Sequence, residues 1–224
     1  MPEDKLLHAD LTYAIRGVLY DVGNHLEPKL PEKYYQEAIS IGLERRNLRH
    51  TLEAEYHVTY RDTEVGRYYC DVVVEDKVIL ELKVVPELTG LNRAQLLSYL
   101  RVTGADVGLL VNFGTPRVVI DRYAGWYARD RADFAWQPCY PDDPDLLYPE
   151  LIGRFYECLY RVHYELGPGF FHHVYRRSVQ VELSEQLIPY VFVREIPVVY
   201  EGEPIGVSPC RLLIVDEKVI VAAF

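Results

Sequence analysis

The stretch Asp71-Val-Val-Val-Glu-Asp-Lys-Val-Ile-Leu-Glu-Leu-Lys83 decides the fold of this 224-residue chain. Two runs of β-branched residues flank the polar turn Glu75-Asp76-Lys77, and this pattern predicts a β-hairpin. Alternate residues of a strand point to the same face, so Glu81 and Lys83 leave one face of the second strand and can converge with Asp71 of the first. The sequence therefore predicts two carboxylates and an ammonium in one small volume.

Two carboxylates this close repel each other unless a cation lies between them. Oxygen ligands of this kind suit a hard ion, so Asp71 and Glu81 favour Mg²⁺ or Mn²⁺. Lys83 cannot be a ligand while protonated, but it can steady a phosphate, orient the attacking water, or act as a base if its pKa is lowered. A strand whose charged side chains simply face solvent gives the same letters, so the assignment depends on neighbouring motifs.

The segment after Pro86 supplies such a motif, because Gln95 and Tyr99 lie four residues apart on one face of a predicted helix. The order Asp71, Glu81-Leu-Lys83, Gln95-x-x-x-Tyr99 resembles the motif order of the PD-(D/E)XK nuclease superfamily, particularly its RecB-like branch. Upstream, Glu32-Lys-Tyr-Tyr35-Gln-Glu-Ala resembles the helix that names the GxxExxY family, a bacterial and archaeal set within that superfamily. The match runs from about residue 11 to about residue 120, and Lys29 stands where the motif has glycine.

The resemblance implies an α/β protein with a restriction-endonuclease-like core, in which helices flank a mixed central sheet. It implies Mg²⁺-dependent (or Mn²⁺-dependent) hydrolysis of phosphodiester bonds, with DNA as the expected substrate. The implied metal ligands are Glu32, Asp71 and Glu81, the residue that positions or activates water is Lys83, and the residues that brace the substrate or the site are Gln95 and Tyr99. A capping role fits Glu32 equally well, since the helix dipole favours a carboxylate at the start of a helix.

The charge balance works against a nuclease. The net charge is −10, whereas non-specific binding to a duplex over a broad surface needs clustered Lys and Arg. A metal-loaded site can still be locally positive. The small basic group Arg45, Arg46 and Arg49 is more typical of a solvated helix end.

The composition, 49% hydrophobic and 26% charged, predicts a globular chain. No apolar run reaches the length of a membrane span and the N-terminus lacks a signal-peptide pattern, so we expect a cytoplasmic protein. The cysteines are scattered without CxxC spacing, which predicts reduced thiols and argues against a zinc ribbon or a disulfide framework. They are Cys70, Cys139, Cys158 and Cys210.

Hydrophobic periodicity predicts the other elements of the first half. Helical spacing indicates helices over 11–26 and 31–46, and alternation indicates a strand over 53–60. Gly104 is expected to end the Gln95 helix, after which 107–112 predicts a buried strand and 116–120 an edge strand. Asn112, at the end of the buried strand, fits a turn or a position facing the site.

Past residue 150 the sequence repeats itself at a constant shift of 140 residues, the difference between Cys210 and Cys70. The repeated positions are those that a core needs, whereas the site positions change. Glu32 is matched by His172 and Asp71 by Arg211, and with one residue inserted Glu81 and Lys83 fall opposite Ala222 and Phe224. This copy should not bind Mg²⁺. The adjacent His172 and His173 point about 100° apart on a helix, so incidental histidines are expected there.

We therefore predict a nuclease-like domain over 1–121, a linker rich in Pro and Asp over 122–150 and pinned by Trp126 and Trp136, and a degenerate, truncated second copy over 151–224 that lacks the site residues. The second copy ends without its covering helix, which leaves a sheet face and an edge bare. We expect it to pack on the first domain or on another subunit, where it would mimic a homodimer contact.

Two alternatives stay open. The first is a non-cleaving module on the same fold that binds nucleic acid or a protein partner, which the acidic charge and the eroded copy favour. The second is an enzyme with the same metal that acts on RNA or on a nucleotide. The intact set of acidic residues and Lys83 counts against the first alternative, because a buried, unpaired acidic cluster is costly.

Overall fold

A computed structural model describes residues 6–125, 134–137 and 145–222. Five helices and eight strands lie in this part of the chain. In order they are α1 (Ala9–His25), α2 (Glu32–Glu44), β1 (His50–Tyr60), β2 (Thr63–Val74), β3 (Val78–Lys83), α3 (Gly90–Thr103), β4 (Val107–Asn112), β5 (Val119–Ala124), α4 (Pro149–Leu166), α5 (His172–Glu185), β6 (Tyr190–Tyr200), β7 (Glu203–Val215) and β8 (Val219–Ala222).

The first sheet has the strand order β1-β2-β3-β4-β5. β3 pairs antiparallel with β2 and parallel with β4, and α3 makes the crossover that a parallel pair requires. β5 returns antiparallel to β4. The sheet is mixed and helices flank it, so the predicted restriction-endonuclease-like α/β architecture is confirmed.

The hairpin between β2 and β3 forms where the sequence predicts it. Glu75 and Asp76 have φ values of 53° and 54°, the left-handed pair of a two-residue turn whose twist matches that of the flanking strands. Val72 pairs with Leu80, and this register brings Asp71 to the level of Glu81. The turn therefore fixes which residues of the two strands meet.

The core of the first unit lies between α1, α2 and one face of the sheet. Its buried residues are Ile15, Val18, Leu19, Ile39 and Leu43 from the helices and Val72, Val74, Val78, Leu80, Leu82, Leu109 and Val111 from the strands. Alternation then turns Ile79 and Glu81 of β3 toward the opposite face. On that face α3 packs closely on β4, because a Cβ at Gly108 would lie 2.8 Å from Cδ1 of Leu96.

The predicted element limits hold to within a few residues, with one correction. Gly104 ends α3 with a φ of 69°, as expected. The edge strand predicted over 116–120 is wrong in position, because β5 is Val119–Ala124. The Thr115 hydroxyl donates to the carbonyl of Arg117 at 2.7 Å, so this segment forms a turn before the strand begins.

The second compact unit comprises residues 59–66 and 131–224, so it includes the tip of the β1–β2 hairpin. Its sheet has the order β6-β7-β8 with antiparallel pairing, and α4 and α5 precede it. The order of elements from α4 to β8 is the order from α1 to β3. Of the predicted linker, residues 126–133 and 138–144 lie outside the described residues, and so does Trp126. Trp136 packs 5.5 Å from the ring of Tyr160.

A buried carboxylate joins the hairpin tip to the helices of the second unit. Glu182 of α5 is fully buried and accepts hydrogen bonds from the hydroxyl of Tyr60 at 2.8 Å and from Nε of Arg61 at 2.6 Å. Nε of Arg161 in α4 lies 3.1 Å from the same carboxylate. Two guanidinium groups and a hydroxyl therefore compensate the burial of this charge.

The far end of the second hairpin has no such cover. Tyr60 and Val65 of the first hairpin are 2% and 0% exposed, whereas their counterparts 140 residues later, Tyr200 and Ile205, are 64% and 65% exposed. Among the described residues, no helix is both long and apolar enough to cross a membrane. Cys70, Cys158 and Cys210 are free thiols, and Cys139 lies outside the described residues.

Candidate active site

Asp71 and Glu81 lie side by side on β2 and β3. One carboxylate oxygen of Asp71 accepts a hydrogen bond from the backbone amide of Leu82 at 2.7 Å, which fixes the side chain across the hairpin. Burial raises the pKa of Asp71, and the nearby Glu32 and Glu53 raise it further. The amide of Leu82 and the ammonium of Lys83 oppose this shift.

Glu81 is the most unusual ionisable group of the cluster. It is 1% exposed, and its Oε2 is buried without a hydrogen-bond partner among the described residues. Burial, followed by the charge of Asp71, raises the pKa of Glu81 to about 8. A buried carboxylate oxygen that lacks a partner is costly, so this position has an unmet need for a cation or a proton.

Lys83 lies beside Glu81 as the sequence predicts. Its ammonium donates to Oε1 of Glu81, and its side chain is 14% exposed. The ammonium lowers the pKa of both Asp71 and Glu81, but burial outweighs it at each carboxyl. One lysine therefore compensates only part of the negative charge of the pair.

Glu32 approaches the cluster from another element. It is exposed, it is the first residue of α2, and its Oε1 accepts a hydrogen bond from the amide of Val84 at 3.3 Å, just past the end of β3. Its charge raises the pKa of both Asp71 and Glu81. Within residues 6–125, 134–137 and 145–222, however, no three His, Cys, Asp or Glu side chains are grouped closely enough to hold a metal ion.

Gln95 and Tyr99 face the cluster from α3. The Gln95 amide donates to the Tyr99 hydroxyl at 3.0 Å, as their helical spacing predicts. Burial and then the charge of Glu81 raise the pKa of Tyr99, so the phenol lies within electrostatic range of the carboxylate. Tyr99 also packs edge-on against Tyr68, with ring centroids 5.6 Å apart, and this contact fixes its orientation.

Two further residues shape the site and were not assigned to it from the sequence. Gln36 donates its side-chain amide to the carbonyl of Asp71 at 2.9 Å, and its place one helical turn after Glu32 was the available signal. Asn112 is 1% exposed, accepts from the amide of Val85 at 3.1 Å and donates to its carbonyl at 2.8 Å. Asn112 thus holds the segment after β3 in place and does not present its amide to the carboxylates.

Comparison with known proteins identifies the family. Residues 9–123 and 149–223 match the sequence model of the PD-(D/E)XK nuclease superfamily, which is more than half of the chain. The chain belongs to the PD-(D/E)XK nuclease superfamily. Membership indicates a nuclease, and nucleases of this superfamily generally use divalent metal ions.

No curated protein matches the chain. A solved structure described as "Crystal structure of SSO0001" is similar to this member of the superfamily at 16% sequence identity. The similarity covers 53% of this chain and 79% of that chain, with a TM-score of 0.31.

Proposed function

We propose that this protein is a Mg²⁺-dependent nuclease of the GxxExxY group, with DNA as its substrate and with its only site in the first copy. The observation that carries the proposal is Glu81, a buried carboxylate with an unpartnered oxygen beside Asp71. A fold that buries two carboxylates against one lysine has the donor set that a hard divalent cation prefers. The superfamily assignment supports the same chemistry.

The residues divide into ligands and supporting groups. Asp71 and Glu81 would hold the ion, and Glu32 would add a third carboxylate from the start of α2. When bound, the ion supplies activation of water and stabilisation of the charge that develops on the phosphate. The amide of Leu82 keeps Asp71 in place, and Asn112 keeps the segment near Glu32 in place.

Lys83 carries its proton at Nζ, next to Oε1 of Glu81. From there the ammonium can orient the attacking water or steady a phosphate oxygen. Gln95 and Tyr99 form a hydrogen-bonded wall on the α3 side that braces the carboxylates or the substrate. In hydrolysis the water oxygen forms a bond to phosphorus, the phosphorus–oxygen ester bond breaks, and the leaving oxygen takes up a proton.

Calorimetric titration with Mn²⁺ tests the metal site. We expect the wild type to bind the ion and Asp71→Ala to lose more than the roughly 10- to 100-fold in affinity that supporting residues typically contribute. Asp76→Ala is the matched control, because Asp76 lies in the turn of the same hairpin and pairs with the exposed Arg49. Failure of the wild type to bind Mn²⁺ would remove the enzyme proposal.

A cleavage assay then identifies the substrate. Linear, circular and single-stranded DNA and RNA are incubated with the wild type and with Asp71→Ala in Mg²⁺. Loss of a circular substrate indicates cutting within the chain, whereas loss of linear substrates alone indicates cutting from ends. Cleavage of RNA in place of DNA would overturn the DNA assignment while the metal chemistry stands.

A non-cleaving module is the second candidate. The separation of Glu32 from a ready three-ligand group and the net charge of −10 favour it. On this proposal the protein binds nucleic acid or a protein partner through the same fold. Binding of DNA without cleavage, in wild type that also fails to take up Mn²⁺, would support it over the nuclease.

A further inference from the structure

The second unit carries a cluster of cations where the first unit carries its carboxylates. The cluster, here called the basic cluster, consists of His172, Arg176 and Arg177 of α5, Arg194 of β6 and Arg211 of β7. At the shift of 140 residues, His172, Arg177 and Arg211 stand opposite Glu32, Glu37 and Asp71. Three acidic positions of the first copy are therefore basic in the second.

The cations of the basic cluster lie close together. Nη1 of Arg211 donates to Nε2 of His172 at 2.8 Å, which requires a neutral imidazole because a guanidinium can only donate. The guanidinium carbons of Arg176 and Arg194 lie 5.1 Å and 5.7 Å from the centroid of the same Phe192 ring. One aromatic ring thus gathers two arginines from a helix and a strand.

These charges lack the partners that surface arginines usually have. In the described part of the chain, no carboxylate forms an ion pair with Arg176, Arg177, Arg194 or Arg211, although the protein has 34 acidic residues against 24 Lys and Arg. Nη1 of Arg176 is buried and has no hydrogen-bond partner among the described residues. An arrangement that repels itself and leaves a buried donor unsatisfied is expected to take up an anion.

The position on α5 adds to the need for negative charge. His172, Arg176 and Arg177 occupy the first two turns of a helix of 14 residues, where the helix dipole disfavours cations and favours an anion. Burial and then the charges of Arg211, Arg177 and Arg194 lower the pKa of Arg176, which reflects the same crowding. A phosphate would relieve both the dipole and the mutual repulsion.

We propose that the basic cluster of the second copy binds the phosphodiester backbone of nucleic acid, and that the eroded metal site has become a substrate-holding site. Guanidinium groups bind phosphate oxygens in paired hydrogen bonds, and an exposed aromatic ring such as Phe192 adds a surface on which a base can stack. This choice of ligand rests on the proposed nuclease function. It gives the acidic chain the local positive surface that the sequence as a whole lacks.

DNA binding in the presence of EDTA tests the proposal without any cleavage. Fluorescence anisotropy with a labelled duplex and a labelled single strand is measured for the full chain and for the double variant Arg194→Ala/Arg211→Ala. We expect the double variant to bind about tenfold or more weakly, and the slope of log affinity against log salt to fall by about 1.8 on duplex DNA, roughly 0.9 for each lost phosphate contact. A structural role alone would not change this slope.

Controls separate charge from folding. Arg154→Ala removes an arginine of α4 that donates to the Gln186 carbonyl and lies outside the basic cluster, so it should leave the affinity unchanged. Arg194→Lys/Arg211→Lys keeps the charges and should keep the salt slope. Equal binding by wild type and Arg194→Ala/Arg211→Ala would overturn the proposal.

The outcomes stay distinct from those of the metal site. Mn²⁺ binding and cleavage with DNA affinity that is unaffected by Arg194→Ala/Arg211→Ala would support the nuclease and overturn the phosphate site. DNA affinity that depends on these arginines in a protein that does not cleave would do the reverse. Inorganic phosphate is the competitor, and if it binds the basic cluster while DNA does not, the cluster is a small-anion site and the nucleic-acid assignment is wrong.

Discussion

At the scale of single residues, Glu81 links the stability of the protein to its chemistry. Its carboxyl has a pKa of about 8 in the folded chain and an ordinary value near 4.5 when exposed. The folded state therefore holds a proton that the unfolded state has already lost between these two pH values. In the absence of metal, stability must fall as the pH rises through this window, and it stays low above it.

Replacing Glu81 by glutamine removes this dependence. In EDTA we expect the free energy of unfolding of the wild type to drop between pH 5 and pH 9, by up to roughly 1.4 kcal/mol for each unit of pKa difference, and Glu81→Gln to lose much less. Urea denaturation at the two pH values measures this. Glu55→Gln is an exposed control on β1 that should follow the wild type. A wild type that gains stability over the same range would contradict the raised pKa.

Gly114 supports the site without touching its carboxylates. A Cβ at this position would lie 2.3 Å from the carbonyl oxygen and 2.4 Å from the nitrogen of Val85, both backbone atoms. The backbone after β3 would have to move, and Glu32 binds that backbone at Val84. Only a residue without a side chain fits.

We therefore expect Gly114→Ala to destabilise the protein by about 1–3 kcal/mol, as overpacking usually does, and to weaken Mn²⁺ binding although no proposed ligand is changed. Thermal unfolding and calorimetric titration measure the two effects. Gly90→Ala is the matched control, since a Cβ there meets nothing within 4 Å. Unaltered melting of Gly114→Ala would mean that the segment at Val85 yields easily.

At the scale of elements, α5 depends on one carboxylate. Glu182 is fully buried between Tyr60, Arg61 and Arg161, so its removal leaves two guanidinium groups without their counter-charge. Glu182→Ala should cost about 3–5 kcal/mol, the usual loss when one partner of a buried ion pair is deleted. Urea denaturation tests this against Glu185→Ala, an exposed change on the same helix. Similar midpoints for the two variants would refute the role of Glu182.

The elements themselves were largely predictable, because each depends on local sequence. The turn at Glu75 and Asp76, the helix end at Gly104 and the buried strand β4 follow from turn chemistry and hydrophobic patterning. The β5 strand was misplaced because Thr115 turns the chain by a side-chain hydrogen bond that no periodicity reports.

The candidate site was predictable only in part. The strand period and the hairpin register bring Asp71, Glu81 and Lys83 together, and the helical period pairs Gln95 with Tyr99. The direction of the Glu32 carboxylate and the use of Asn112 to hold Val85 depend on contacts between elements distant in sequence. The role of Glu182 is of the same kind, since its partner Arg61 lies 121 residues away.

At the scale of the whole molecule, the second copy remains a proposal that truncation can test. The tip of the first hairpin, with Tyr60 and Val65, is covered by α5 residues, among them Glu182 and Arg177. A chain of residues 1–125 would expose this tip. We expect it to melt at a lower temperature than the full chain and to associate, as measured by calorimetry and light scattering.

Replacing the two tip residues in the shortened chain provides the control. Tyr60→Thr with Val65→Thr should reduce association, because the newly bared surface is then less apolar. A shortened chain that stays monodisperse and resists heat as well as the full chain would show that the second copy is not needed to cover the first. The same result would remove the expected packing of the second copy on the first domain.

The bare end of the second hairpin bears on how this protein behaves in concentrated solution. Tyr200 and Ile205 present an apolar, strand-like edge, and the net charge of −10 is what keeps such edges on different molecules apart. Dissolved electrolyte shortens the reach of that repulsion to about 8 Å at physiological ionic strength. Opalescence is therefore expected to grow as electrolyte is added, and dilute buffer should preserve the clear colloid.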